Sequence, residues 1–372
     1  MHEPLFQPIS LGAIDLPNRV IMAPLTRGRA TRDHVPTPMM VEYYRQRASA
    51  GLIISEATGI SREGLGWPNA PGIWTDEQVD AWKPVTEAVH AAGGRIMMQL
   101  WHMGRIVHPS FLNGEPGVSA SATRAPGHAH TNEGTSDHEI ARPLRLDEMP
   151  RLLDDYTRAA ENAKKAGFDG VQLHAANGYL IDQFLRDGSN LREDEYGGAP
   201  QNRVRLMREV VERLISVWGK DRVSIRLSPN GDSQGVDDSN PAAIFGEAAR
   251  VLEELGVSFV ELRQPGPHGT FGNTEVPQQD ALIRSIYTAP LVLNSDYTPD
   301  EAATDVAAGR ADAISFGRPF ISNPDLVERI AAGAPINPNK GVPQTWYFPG
   351  EVGYIDYPTL AEETGATESA TA

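Results

Sequence analysis

A closed α/β barrel of the TIM (β/α)8 type is the fold predicted for this 372-residue chain, on three observations. Apolar β-rich runs alternate with helical patterns almost to the end. The runs number eight, the count that closes such a barrel. They are also near-continuously apolar, as parallel strands covered on both faces must be. A doubly wound sheet is the competing arrangement.

The eight runs are residues 19–26 (RVIMAPLT), 52–57 (LIISEA), 95–101 (RIMMQLW), 170–174, 222–229 (RVSIRLSP), 259–263 (FVELR), 290–294 (PLVLN) and 313–317 (AISFG). Between them lie amphipathic segments with helix-start residues. Asp76 and Asp147 each precede a helical pattern that ends at a glycine, Gly93 and Gly167, in the manner of a C-cap. Ser239-Asn240-Pro241 and Thr298-Pro299 open two later helices, with proline suited to the first turn.

The chain exceeds the roughly 250 residues of a plain barrel, and the surplus has recognisable places. Residues 1–18 read as an N-terminal hairpin covering the barrel bottom. Residues 101–145, rich in Gly, Pro, His and Ser, form a long loop insertion after strand three. Residues 264–276 form a Gly/Pro-rich loop after strand six that can act as a lid. Residues 1–360 are thus expected as one barrel domain, and 361–372 (AEETGATESATA) as a flexible tail.

Composition narrows the function. The formal net charge of −16 lacks the footprint of a nucleic-acid or anionic-membrane binder. Cysteine is absent, which removes disulfides, thiolate nucleophiles, Cys-ligated zinc and iron–sulfur clusters. The N-terminus has no signal-peptide pattern, and no apolar run approaches the roughly 18 residues of a membrane span. A cytoplasmic enzyme acting on small molecules, as a monomer or small homo-oligomer, is expected.

Barrel enzymes build their sites at the C-terminal ends of strands. The most informative end is His174-Ala175-Ala176-Asn177-Gly178-Tyr179. Just past a strand, His174 and Asn177 can aim two hydrogen-bond donors at one point, and Tyr179 adds a weakly acidic hydroxyl. That trio suits a carbonyl oxygen that gains negative charge while a nearby carbon takes up a proton. Thr26, Gln99 and Arg226 come from three other strands and can bind the edge of a planar heteroaromatic cofactor. Each has a structural explanation when taken singly, but Arg226 is costly to bury without an anionic or electron-rich partner. The loops after strands seven and eight, Asn294-Ser295-Asp296-Tyr297 and Gly317-Arg318-Pro319-Phe320, lie where such barrels hold a phosphate. Gly317 permits close backbone approach and Arg318 can pair with a dianion.

Other signatures fail. Asn69 stands where Gly64-Leu65-Gly66 would need its third glycine to be a dinucleotide fingerprint. There is no Walker A sequence, no HExxH and no convincing metal triad. His102, His108, His128, His130 and His138 crowd the insertion, where solvated loop polarity is the simpler reading.

Across essentially its whole length the sequence resembles the old yellow enzymes. These are flavin-dependent ene-reductases, and the likeness is strongest to the classical bacterial type that includes N-ethylmaleimide and pentaerythritol tetranitrate reductases. The motifs are Met22-Ala23-Pro24-Leu25-Thr26-Arg27, Gln99-Leu100-Trp101-His102-Met103-Gly104-Arg105, HAANGY, Asp194-Glu195-Tyr196-Gly197-Gly198 with Asn202-Arg203, and Ser315-Phe316-Gly317-Arg318-Pro319.

The resemblance implies noncovalent FMN and NADH or NADPH as hydride donor. Thr26 would bond the flavin C4 carbonyl, and Gln99 and Arg226 would hold the pyrimidine and N1 edge. Pro24, Ala57 and Trp101 would lie nearby. Gly317, Arg318 and the backbone around Ser295 and Asp296 would hold the phosphate. His174 and Asn177 would bind the substrate carbonyl, Tyr179 would deliver the proton, and Trp101 and Tyr347 would line the pocket. Hydride would pass from flavin N5 to Cβ of an α,β-unsaturated aldehyde, ketone or maleimide, with protonation at Cα.

Two departures stand out. Ser295-Asp296 replaces the glycine many relatives carry in the strand-seven turn, so the Asp296 side chain is expected to turn away or cap the helix. The family varies between His-His and His-Asn as the carbonyl pair, and this chain has the His-Asn form, which makes the second donor neutral at any working pH. Arg142 is a weak candidate for attracting a nicotinamide 2′-phosphate. Nitrate esters and nitroaromatics are alternative substrates for the same flavin. A phosphosugar isomerase or lyase, and a ligand-binding barrel without turnover, are the readings from other classes.

Overall fold

Period-two alternation along eight short strands decides which side chains face the barrel axis. The computed structural model describes residues 2–265, 276–338, 345–347 and 349–370. The strands are β1 (Val20–Met22), β2 (Leu52–Ile54), β3 (Ile96–Trp101), β4 (Gly170–Ala175), β5 (Val223–Leu227), β6 (Phe259–Arg263), β7 (Leu291–Asn294) and β8 (Ala313–Phe316). Each pairs in parallel with the next, and β8 pairs with β1, which closes the ring.

The outer helices are α1 (Pro38–Gln46), α2 (Asp76–Ala91), α3 (Met149–Lys165), α4 (Arg205–Trp218), α5 (Pro241–Leu255), α6 (Asp280–Ile286), α7 (Pro299–Ala307) and α8 (Leu326–Ala332). Their starts follow local chemistry. Asn240 caps α5 by accepting the Ala243 N–H at 3.1 Å, and Thr298 and Glu301 form a capping box on α7. The cap of α2 is Thr75, not Asp76 as expected, because Gln78 completes a capping box with Thr75. No helix among the described residues is long and apolar enough to cross a membrane.

Three layers stack along the axis. At the bottom, inward-facing Ile21, Leu52, Ile54, Met97, Phe259, Val292 and Ala313 form one apolar cluster with Leu11, Ile14 and Leu16. The last three belong to an N-terminal hairpin, Ile9–Leu11 paired antiparallel with Ile14–Leu16. An isolated two-stranded hairpin is marginal in water. Burying three aliphatic side chains, at roughly 1.5–3 kcal/mol each, holds this one against the barrel floor.

Two residues further along the strands the interior becomes polar. Gln99 Nε2 donates to Gln172 Oε1 at 2.7 Å, and Gln172 Nε2 donates to Glu261 at 3.0 Å. Glu261 also accepts from Arg226 Nη1 at 3.0 Å and from Ser315 Oγ at 2.6 Å. Arg226 Nη2 reaches Asn294 Oδ1 at 2.6 Å. One more step along brings Trp101, His174 and Arg263 to the top.

Several expectations shift. The second strand stops at Ile54, and Glu56 instead accepts the Arg27 N–H and the Tyr44 hydroxyl, each at 3.2 Å. Burial pushes its carboxyl up to about 7. The segment expected as a frayed tail is helical over Leu360–Ala370, begun by a Thr359–Glu362 exchange of hydrogen bonds. The insertion after β3 carries its own hairpin, His128–Thr131 with Gly134–Asp137. His102 within it is fully buried rather than solvated, and burial lowers its pKa to about 3. Of the expected lid, residues 266–275 lie outside the described residues.

The hairpin turn depends on Gly12. Its φ is +63°, and an added Cβ would lie 2.2 Å from the Asp221 carbonyl oxygen. Gly12→Ala is expected to cost about 2–4 kcal/mol by chemical denaturation. A loss under 0.5 kcal/mol would show that the hairpin does not seal the barrel.

Candidate active site

At the C-terminal ends of the strands lies a cleft of about 470 Å3. Of the residues singled out from sequence, Pro24, Thr26, Trp101, Asn177, Tyr179, Arg226, Ser295, Asp296, Gly317, Arg318 and Tyr347 line it. His174, Gln99 and Ala57 sit directly behind that lining. Gln99 is two residues below Trp101 on the same face of β3, and Ala57 packs in one apolar cluster with Trp101. The His174 ring lies 4.9 Å from the Tyr179 ring and 6.4 Å from Trp101, and Tyr179 meets Trp101 edge-on at 5.0 Å.

The chain after β4 makes this grouping possible. Asn177 (φ +60°) and Gly178 (φ +78°) adopt left-handed conformations that Asn and Gly tolerate best. The turn ends at Tyr179, the N-cap of a short helix, Leu180–Leu185. His174 Nδ1 accepts the Ala176 N–H at 3.3 Å, which leaves Nε2 carrying the proton. Burial, with Arg226 and Arg263 nearby, holds the His174 pKa well below its ordinary value, so the ring is a neutral N–H donor.

Asn177 is fixed on every side. Its N–H donates to Ser228 Oγ at 2.8 Å, and its carbonyl accepts from Gln234 Nε2 at 2.9 Å. Its side-chain Oδ1 accepts from Arg263 Nη1. Because a guanidinium only donates, the atom facing it must be the amide oxygen. The Asn177 NH2 is therefore the group left to meet a ligand. Burial pushes the Tyr179 phenol up to about 12, opposed by a hydrogen bond with Gln234. The hydroxyl stays protonated throughout the working range.

The other end of the cleft is cationic. Arg318 pairs with Asp296. Asp296 thus neither turns away nor caps the helix, since Thr298 already supplies the cap. An added Cβ at Gly317 would meet only Leu25, at 3.5 Å, so its backbone is open to the cleft. Arg226 has the electron-rich partner its burial demanded, Glu261, so two of its three nitrogens already serve the protein. Arg142 is likewise engaged, by Glu148 at 2.7 and 2.8 Å.

Buried polar groups without partners are places that an ordered water or a ligand can satisfy. Ten buried side-chain nitrogens and oxygens have no hydrogen-bond partner among the described residues. Half of them belong to this cleft: Trp101 Nε1, Arg226 Nε, Gln264 Nε2, Ser295 Oγ and Trp346 Nε1. Mostly donors between aromatic walls, with a cationic end, they suit a planar heteroaromatic acceptor bearing a phosphate.

One wall is built from afar. Arg27 Nε and Arg29 Nη1 bond the Trp346 carbonyl at 3.0 and 2.7 Å, and Arg29 Nη2 bonds the Thr345 carbonyl at 2.7 Å. Arg27 Nη2 takes the Gly353 carbonyl at 2.7 Å. These bonds hold Tyr347 at the mouth, edge-on to Trp67 at 5.6 Å. The sequence reading missed Arg263, Gln234 and Glu261, and named Asn294 only as part of the phosphate turn. Arg263 and Glu261 could have been found from the alternation of β6, whose inward series is Phe259, Glu261, Arg263; Gln234 sits in a loop and carries no periodic signal.

Residues 4–337 match the NADH:flavin oxidoreductase / NADH oxidase family. The fold superposes on an old yellow enzyme homologue from Zymomonas mobilis with a TM-score of 0.93 and 58% identity, covering 96% of this chain and 99% of the other. Morphinone reductase in complex with tetrahydroNAD gives 0.90 and 44%, covering 96% and 97%. The 12-oxophytodienoate reductase 7 of Oryza sativa subsp. japonica is 40% identical over 383 residues, covering 97% of this chain and 96% of its own.

The neutral state of His174 can be checked by NMR of isotope-labelled histidine. Because its pKa is depressed, the ring should stay neutral as the pH falls through the ordinary histidine midpoint near 6.5. A midpoint near 6.5 would show a hydrated imidazole and refute the buried donor.

Proposed function

The chain belongs to the NADH:flavin oxidoreductase / NADH oxidase family and is an oxidoreductase of the old yellow enzyme type; from that premise we propose that it reduces activated C=C bonds of α,β-unsaturated aldehydes, ketones and maleimides. FMN is the proposed noncovalent cofactor, and NADH or NADPH the proposed reductant. Family membership sets aside the isomerase, lyase and turnover-free readings.

The reading is carried by one observation: an oriented Asn177 NH2 and a protonated Tyr179 hydroxyl line one cleft, with the neutral His174 ring packed against Tyr179 directly behind them. Thr26, Arg226 and Gln264 would hold the flavin ring, and Gly317, Arg318 and the turn at Ser295 its phosphate, with Gln99 supporting from the layer behind. FMN held there would supply the hydride chemistry, accepting from a nicotinamide and giving to Cβ of the substrate.

The protein's own part is electrostatic and protic. His174 and Asn177 donate to the substrate oxygen and stabilise the charge that grows on it as Cβ is reduced. Comparable donors contribute about 3–4 kcal/mol. Both donors are neutral, so neither gives up its proton to that oxygen. Tyr179 then donates its hydroxyl proton to Cα. A phenol held near 12 is a poor acid toward ordinary bases, yet an enolate carbon is basic enough to take the proton. Trp101 and Tyr347 enclose the substrate and exclude water from that transfer.

Anaerobic stopped-flow kinetics on the holoenzyme test these roles. Tyr179→Phe should slow enone turnover about 10²-fold or more while nicotinamide oxidation in the first half-reaction stays within about twofold. Equal losses in both would remove Tyr179 as the acid. His174→Ala should weaken phenol binding and abolish the long-wavelength band that phenols give with a flavin. An unchanged titration would refute the carbonyl pair.

A further inference from the structure

The second donor of the carbonyl pair is an amide, and an amide can present either end. In the related His-His arrangement, each ring presents an N–H once its tautomer is set. A carboxamide that rotates by half a turn offers an oxygen instead, which would repel a developing oxyanion. Something must fix its sense.

Arg263 ends β6 and faces the axis, two residues beyond Glu261. Its Nη1 donates to Asn177 Oδ1 and lies 3.4 Å from Ser233 Oγ. Strand pairing places Arg263 opposite Asn294 in β7, and its side chain lines the same cleft as Asn177 and Tyr179. Arg226, by contrast, is committed to the Glu261 carboxylate one layer below.

We propose that Arg263 is a positioning residue for the carbonyl pair: it locks the Asn177 carboxamide with its oxygen turned back and its NH2 turned to the substrate. The positive charge on the carbonyl side also draws electron density from the amide, which strengthens the NH2 as a donor. The site thereby gains a cation's effect on the substrate oxygen with no acidic proton at that oxygen. The inference rests on His174 and Asn177 being the carbonyl pair.

The test is a double-mutant cycle on the FMN-loaded enzyme, with 4-chlorophenol as the oxyanion probe and the dissociation constant as readout. Flavin content and the flavin absorption spectrum report whether each variant is folded. Arg263→Gln should weaken 4-chlorophenol binding about 10- to 100-fold in the wild-type background. In the Asn177→Ala background the same change should alter binding by no more than about twofold.

An unchanged dissociation constant for Arg263→Gln would overturn the proposal. So would an equal loss with and without Asn177, because Arg263 would then be touching the ligand or merely supporting the fold. If Arg263→Gln does not retain flavin, Arg263→Lys keeps the charge but not the geometry, and the same coupling criterion applies. Should Asn177→Ala and His174→Ala both leave phenol binding intact, the carbonyl pair itself fails. That result is distinct from failure of Arg263 alone.

Discussion

The Arg226–Glu261 ion pair at the middle of the barrel is the constraint around which the upper half is arranged. Both side chains are almost fully buried, and removing one partner of such a pair typically costs about 3–5 kcal/mol. Its orientation follows from backbone register, because Arg226 and Glu261 are direct partners in the β5–β6 ladder. Glu261 also gathers Gln172 and Ser315, while Arg226 gathers Asn294, so five strand interiors are tied through two charges. Whatever stands on this layer inherits its precision.

Above it, each strand contributes what its alternation delivers next: Trp101 beyond Gln99, His174 beyond Gln172, Arg263 beyond Glu261. Below it, the apolar floor and the docked hairpin exclude water from the ion pair, which keeps the electrostatics strong. The three layers are therefore a division of labour along the axis. The floor supplies stability, the middle supplies geometry and the rim carries the side chains of the cleft.

Much of this was legible in the sequence, for identifiable reasons. The eight strands announced themselves because parallel strands buried on both faces have little room for polar residues. His174, Asn177 and Tyr179 were readable because they sit within six residues, so no knowledge of the fold was needed to bring them together. Gln234 was not, since it lies in a loop far from Asn177 in the chain; the inward direction of Arg263 follows from the alternation of β6, but its meeting with Asn177 exists only when the barrel closes. Asp296 was misjudged for a related reason. Its repulsion with a phosphate was weighed, but its attraction to Arg318 is a contact between two different strand ends. The Thr75 cap was missed because Asp76 is itself a good cap, and only the Gln78 side chain tips the balance.

The grip of Arg27 and Arg29 on the segment behind Tyr347 has an evolutionary consequence. Both arginines hold backbone carbonyls, which every amino acid possesses, and none of the side chains of residues 345–347 is needed for those bonds. Mutation there can remodel the entrance without loosening its anchorage. The mouth is thus a place where the shape of the entrance can drift, while His174, Asn177 and Tyr179 stay under the discipline of the barrel.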